Sequence, residues 1–159
     1  MKVGDNMTIA EMINKYHKHS ATDNYIIVAE SKKEKVVKFA IYHMSDLINF
    51  NCFTTTTSSK GENMLRLLVS TELKKSILAT GETLATYEKK EQIKEQLKLN
   101  NGETSEYLVT TYFNQIYKRD NIPFYEKGDI NINGIEYQIK SHKAMFATEK
   151  QLNTLDRTV

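Results

Sequence analysis

The chain has 159 residues, enough for one domain with a hydrophobic core and with no need of a second full-sized one. Apolar residues at 40%, charged residues at 26% and a net charge of +2 are ordinary for a soluble globular protein, and so small a charge does not by itself call for a nucleic-acid partner. No run of about 18 apolar residues occurs, and the opening MKVGDNMTIAEM lacks an apolar stretch of signal length, so neither a membrane helix nor a secretory leader is expected.

The single cysteine, Cys52, has no partner for an internal disulfide and stands near Phe50 and Phe53. It reads as a buried thiol, and a reducing cytoplasm is the expected compartment. Richness in Lys, Asn and Ile is what AT-rich codons give, which points to an AT-rich bacterium or a phage or other mobile element.

From the N-terminus, Thr8 followed three residues later by Glu11 is a capping box, and it predicts a helix over residues 9–18. The spacing of two in His17-Lys18-His19 points the rings apart on such a helix, so they are not read as a metal pair. NYIIVAE and KVVKFAIYHM, rich in β-branched and aromatic residues, predict two strands joined by the charged turn SKKEK. FTTTTSSKGEN reads as an exposed loop and the best boundary in the chain. NMLRLLVSTELKKSILATG carries apolar residues at helical spacing and stops on Gly81; TLATYEKKEQIKEQLKLNNG repeats the device and stops on NNG. The lysines of KKEQIKEQLK read as a solvated helix face, with Glu91 and Lys94 paired at i+3.

A third helix is expected over TSEYLVTTYFNQIYKR, with Thr104 as its cap and Leu108, Val109, Tyr112, Phe113 and Ile116 on one stripe. Glu106 lies on the flank of that stripe, beside buried surface, whereas Glu103 points further toward solvent. Pro123 closes off any continuation.

Asn133-Gly134 is a strong hairpin signal, because a type I′ turn needs positive φ at both central residues. A loop of those two residues sets Ile132 against Ile135, Ile130 against Tyr137 and Asp129 against Gln138. Strand alternation then sends Ile130, Ile132, Ile135, Tyr137 and Ile139 to the core and gathers Asp129, Asn131, Glu136, Gln138 and Lys140 on the other face. Opposed side chains stand about 5 Å apart and diagonal ones about 7 to 8 Å, so Asp129, Gln138 and Lys140 are expected to converge.

GDININGIEYQIK, preceded by a helix that bears Glu106, resembles the PD-(D/E)xK nuclease superfamily over residues 103–156. Asp129 matches the aspartate that opens one strand of that family. Gln138-Ile139-Lys140 matches its acid-x-lysine motif, with glutamine in place of the acid, and Glu106 matches the helical acid. The resemblance implies an α+β fold, a small mixed β-sheet flanked by helices, with a restriction-endonuclease-like half-core at the C-terminus. The family's last strand is then missing or replaced by the N-terminal hairpin, which either extends the sheet or forms a separate lobe. The organisation that follows is an N-terminal helix and hairpin over 1–60, a helical connection over 61–100 and a nuclease-like core over 101–159, or one compact domain.

The same resemblance implies phosphodiester hydrolysis, in DNA ahead of RNA, with Mg²⁺ or Mn²⁺ held by Asp129, Gln138 and Glu106. Such a cation neutralises phosphate and acidifies bound water. Lys140 is then the group that holds the scissile phosphate or orients the attacking water. Lys127, opposite Lys140, and Ser141, His142, Lys143 and Lys150 are expected nucleic-acid contacts. The last four belong to a loop, SHKA, and to a helix over 149–156 capped by Thr148 with Gln151. The alternative, motivated by a neutral Gln138, is a non-catalytic protein on the same scaffold that binds a host defence protein or a nucleic acid. No GxxxxGK, GxGxxG or CxxC motif occurs.

Overall fold

The computed structural model describes residues 7–20, 22–57, 59–118, 128–141, 143–148 and 152. The fold is α+β, built on a five-stranded mixed sheet and a smaller antiparallel one. It opens with α1 (Ile9–His19), whose predicted capping box is present: the Thr8 hydroxyl oxygen accepts from the Glu11 amide, and the Glu11 carboxylate reaches back to the Thr8 amide. The strands β1 (Asn24–Ser31) and β2 (Val36–His43) then pair antiparallel over eight residue pairs, as the sequence predicts. Strand β1 is buried along nearly its whole length, the pattern of a strand covered on both faces.

The stretch expected to be an exposed boundary loop is instead a hairpin, with β3 (Phe53–Thr57) paired to β4 (Asn63–Leu68) after the short helix α2 (Met44–Ile48). Four successive threonines suit a pleated strand, and β-branching outweighs the polarity of the hydroxyls. The apolar spacing of NMLRLLV is likewise that of a strand, and the helix begins later, as α3 (Thr71–Thr80) capped by Ser70. The next predicted helix also loses its first turn to a strand, β5 (Glu82–Thr86), before α4 (Tyr87–Leu97). Lys98, in the left-handed conformation, ends α4. Asn100 in the NNG run starts a helix rather than stopping one, capping α5 (Asn101–Tyr112) in a reciprocal box with Glu103.

Beyond α5 come β6 (Ile130–Ile132), β7 (Ile135–Ser141) and β8 (Lys143–Thr148). The turn between β6 and β7 has φ of 53° at Asn133 and 88° at Gly134, and the ladder pairs Ile130 with Tyr137 and Ile132 with Ile135, as predicted. Residues expected as the loop SHKA instead bracket a strand start, since β8 joins β4 and completes the second sheet. In the expected helix over 149–156, Leu152 is helical and fully buried, and the rest lies outside the described residues.

The large sheet runs β5-β2-β1-β7-β6, with β1 parallel to β7 from Tyr25 opposite Gln138 to Val28 opposite Ser141. The N-terminal hairpin therefore extends the sheet of the C-terminal hairpin. The Thr22 hydroxyl donates to the Glu136 carbonyl at 2.6 Å and fastens the start of this joint. On one face Ile26, Val28, Phe39 and Ile139 meet Leu108 and Val109 of α5. On the other, Tyr25 and Ile27 meet Met12 and Tyr16 of α1 and Leu65 and Leu67 of β4. Cys52 is buried as expected, its thiol donating to the Leu47 carbonyl at 3.3 Å, and burial pushes its pKa up to about 11.

Candidate functional site

The site begins where the β6–β7 ladder stops. Asp129 precedes β6, and its backbone amide donates to the Tyr137 carbonyl at 2.8 Å. Its carboxylate accepts from the Ile139 amide at 2.8 Å, so a side-chain oxygen takes the place of the next ladder acceptor. With its own amide and one carboxylate oxygen both bonded to the β7 backbone, the side chain is fixed in direction. The preceding Gly128 makes this possible: a Cβ there would stand 2.7 Å from the Tyr137 carbonyl oxygen and 2.9 Å from its nitrogen.

Glu106 comes to the same place from α5. The helix is anchored by Leu108 and Val109 and its polar flank carries Glu106, as the sequence predicts. Glu106 and Asp129 line one cleft of about 280 Å³, which Thr110, Tyr117 and Asn131 also line. Burial, and next the nearby charge of Asp129, raise the Glu106 pKa to about 7; a hydrogen bond from Tyr117 and the charge of Lys140 act in the opposite sense. Asp129 and Glu106 in turn favour the charged form of Lys140, although burial outweighs them and lowers its pKa. Glu106, Asp129 and Lys140 are therefore within electrostatic reach of one another.

Gln138 is only 2% exposed. The hairpin face expected to gather the polar residues is covered at this end: Gln138 and Lys140 share a face with their β1 partners Tyr25 and Ile27, and α1 and β4 pack on that face. Neither lines the cleft, whose described walls on the hairpin side come from Gly128, Asp129, Ile130, Asn131 and Glu136. Conversely, Ile135, expected in the core, is 46% exposed at the tip of the hairpin.

The nucleic-acid contacts expected from sequence do not gather here. Ser141 lines a separate cavity of about 40 Å³ with Glu30, Lys90, Asn101 and Ser105. Lys143 opens β8 opposite Leu68. Lys127, His142 and Lys150 lie outside the described residues. Lys90, expected on a solvated face, is buried: its ammonium meets Glu30 at 2.5 Å and Glu91 at 3.6 Å, and stands 4.6 Å from the centre of the Tyr87 ring. His17 is committed to Asp23 at 2.7 Å.

Part of the site went unseen in the sequence. Helix α5 ends at Tyr112, Asn114 turns left-handed with φ of 59°, and residues 115–118 double back along the cleft instead of continuing the helix. The Gln115 amide donates to the Asn131 carbonyl at 2.7 Å, and the Tyr117 hydroxyl makes a long 3.4 Å bond to Glu106. Ile116, expected on the apolar stripe, is 84% exposed. The available signal was the asparagine itself, a residue that tolerates the left-handed stop.

Among the described residues no group of three or more His, Cys, Asp or Glu side chains is arranged to hold a metal. The two carboxylates that share the cleft fit a hard divalent cation of the Mg²⁺ kind, which takes one or two carboxylates and completes its shell with water and phosphate oxygens. No family model, curated protein or solved structure matches the chain.

Proposed function

We propose that the chain is a metal-dependent nuclease that hydrolyses phosphodiester bonds, DNA ahead of RNA, at the Glu106–Asp129 cleft. The observation that carries this reading is a pair of carboxylates on one polar cleft, with the charge of Lys140 acting on both. The order of elements, a helical acid followed by a D…QxK hairpin, supports kinship with the PD-(D/E)xK superfamily. Mg²⁺ or Mn²⁺, when bound, supplies Lewis acidity toward phosphate oxygens and an acidified water. Asp129 and Glu106 would hold it, Asp129 from a carboxylate already oriented by the Ile139 amide, on a backbone fixed by its own bond to the Tyr137 carbonyl. Lys140 keeps the two acids together as their internal counter-charge. Gln138, neutral and buried, offers only its carbonyl oxygen.

The buried neutral Gln138 also favours a second reading, a non-catalytic protein that engages a host defence protein or a nucleic acid through the same scaffold. One screen separates the two. Plasmid, single-stranded DNA and RNA incubated with Mg²⁺ or Mn²⁺ are cleaved under the first reading, with loss of at least 100-fold in both Asp129→Ala and Glu106→Ala, a range like that seen when one electrostatic group of an active site is removed. Cleavage that survives either substitution, or no Mn²⁺ binding by calorimetry beside tight capture of a protein partner, rejects the nuclease.

A further inference from the structure

A phosphodiester approaching the cleft meets Glu106, Asp129 and Glu136, all acidic. A polyanion needs a cation on the surface it actually touches, since phosphate contacts fix its register and dominate its salt dependence. Lys140 is badly placed for that task. It is half-buried beneath the sheet joint, it does not line the cleft, and its electrostatic partners are the two carboxylates. An ammonium already balancing two acids has little charge to spare for a third anion.

Lys118 has the opposite surroundings. It is exposed and is the one cation among the described residues that line the cleft. Its backbone is also held: the segment that carries it is tied down by Gln115 on the Asn131 carbonyl and by Tyr117, whose hydroxyl reaches Glu106 and whose ring packs edge-on against Tyr107 with centroids 5.9 Å apart. The same segment therefore fixes one carboxylate and presents one ammonium.

We infer that Lys118, not Lys140, is the residue that takes a nucleic-acid phosphate at the cleft, carried on a segment that Tyr117 locks to Glu106. This rests on the nuclease reading and assigns its substrate contact. Tyr117 is in this scheme a positioning residue, and Lys140 belongs to the interior of the site.

The test is the salt dependence of binding to a fluorescein-labelled DNA duplex and to its single strand, measured by anisotropy in Ca²⁺ buffer. Lys118→Gln should lower the slope of log K against log salt by about 0.9 on the duplex and about 0.7 on the single strand, the increment of one lost phosphate contact. Lys118→Arg should restore it. Lys140→Gln should leave the slope at the wild-type value and enlarge the rise in melting temperature that Mn²⁺ alone produces, because the two carboxylates then lack their internal counter-charge. A wild-type slope in Lys118→Gln, with wild-type protein binding DNA, overturns the assignment and leaves the nuclease reading intact. If wild-type protein binds neither DNA at low salt and Mn²⁺ does not raise its melting temperature, the nuclease reading falls first and takes the assignment with it.

Discussion

Two lysine–carboxylate clusters sit on the same large sheet and are built to opposite ends. Lys90 is closed in, its ammonium 2.5 Å from Glu30 with the Tyr87 ring beside it, next to a cavity of about 40 Å³. Lys140 faces two acids, Glu106 and Asp129, and those acids open onto about 280 Å³ of cleft. In the first cluster a cation and its chief anion satisfy each other, and nothing more is needed. In the second, two anions share one partly withdrawn cation, and one of them is driven toward its neutral form. A buried ion pair by itself says little about function; an imbalance of charge beside an opening says much more.

Removing one acid from each cluster should therefore give opposite signs. Glu30→Leu leaves the Lys90 ammonium buried with only the more distant Glu91 and should destabilise the fold by about 3 kcal/mol, the lower end expected for an orphaned buried charge. Chemical denaturation would read this as a shift in midpoint, and a change under about 1 kcal/mol would mean that Lys90 escapes to solvent.

Gly128→Ala strikes the second cluster through the backbone. Its Cβ meets the Tyr137 carbonyl at 2.7 Å, so a loss of about 2 kcal/mol is expected, of the size seen on overpacking, together with loss of Mn²⁺ binding as Asp129 is pushed off Ile139. Intact cation affinity in this variant would show that Asp129 does not depend on its ladder position.

Smaller still is the response of Gln138→Glu. It places a third carboxylate next to a residue whose amide already holds Asp129, so the variant should melt lower than wild type without cation. It should also gain more from Mn²⁺, by a few degrees, because a ligand that binds only the folded state stabilises by mass action. Equal gains in the two proteins at matched ionic strength would remove Gln138 from the site.

The least perturbing change, Glu106→Gln, should carry the reverse sign to Glu30→Leu. A carboxyl whose pKa is higher folded than unfolded keeps its proton better in the native state. Its contribution to stability is complete below the ordinary carboxylate pKa and is lost as pH rises to about 7. Wild type should thus weaken between about pH 4.5 and 7 relative to Glu106→Gln, and the variant should be the more stable of the two at pH 8. Parallel stability curves from pH 4 to 8 would contradict the burial of this carboxyl.

What the sequence disclosed of this molecule was mostly local. The Thr8–Glu11 box, the β1–β2 hairpin and the Asn133-Gly134 turn each follow from chemistry within a few residues, and all are found. The errors have two causes. NMLRLL and ETLAT carry mixed signals settled by partners far along the chain, β4 taking its second neighbour from residues 143–148 and β5 pairing with β2, whereas FTTTT pairs locally with β4 and its hydroxyls misled. For the site, Asp129 and Glu106 were legible from turn register and helix face. The burial of Gln138 was not, because the face it shares with Tyr25 is covered by α1 and β4, far away in the chain, and strand alternation alone cannot say which face another segment will cover.

That distant joint has a consequence in time. The bond from Thr22 to the Glu136 carbonyl spans 114 positions, and closing a loop of that length costs about 4 kcal/mol beyond the fixed cost of closure before any contact repays it. Parallel pairing of β1 with β7 is accordingly expected to come slowly and late in folding. On the ribosome, the β1–β2 hairpin emerges complete while the strand that bears Lys140 has yet to be made. The acids of the cleft acquire their counter-charge only when the chain is nearly finished and its last third has docked.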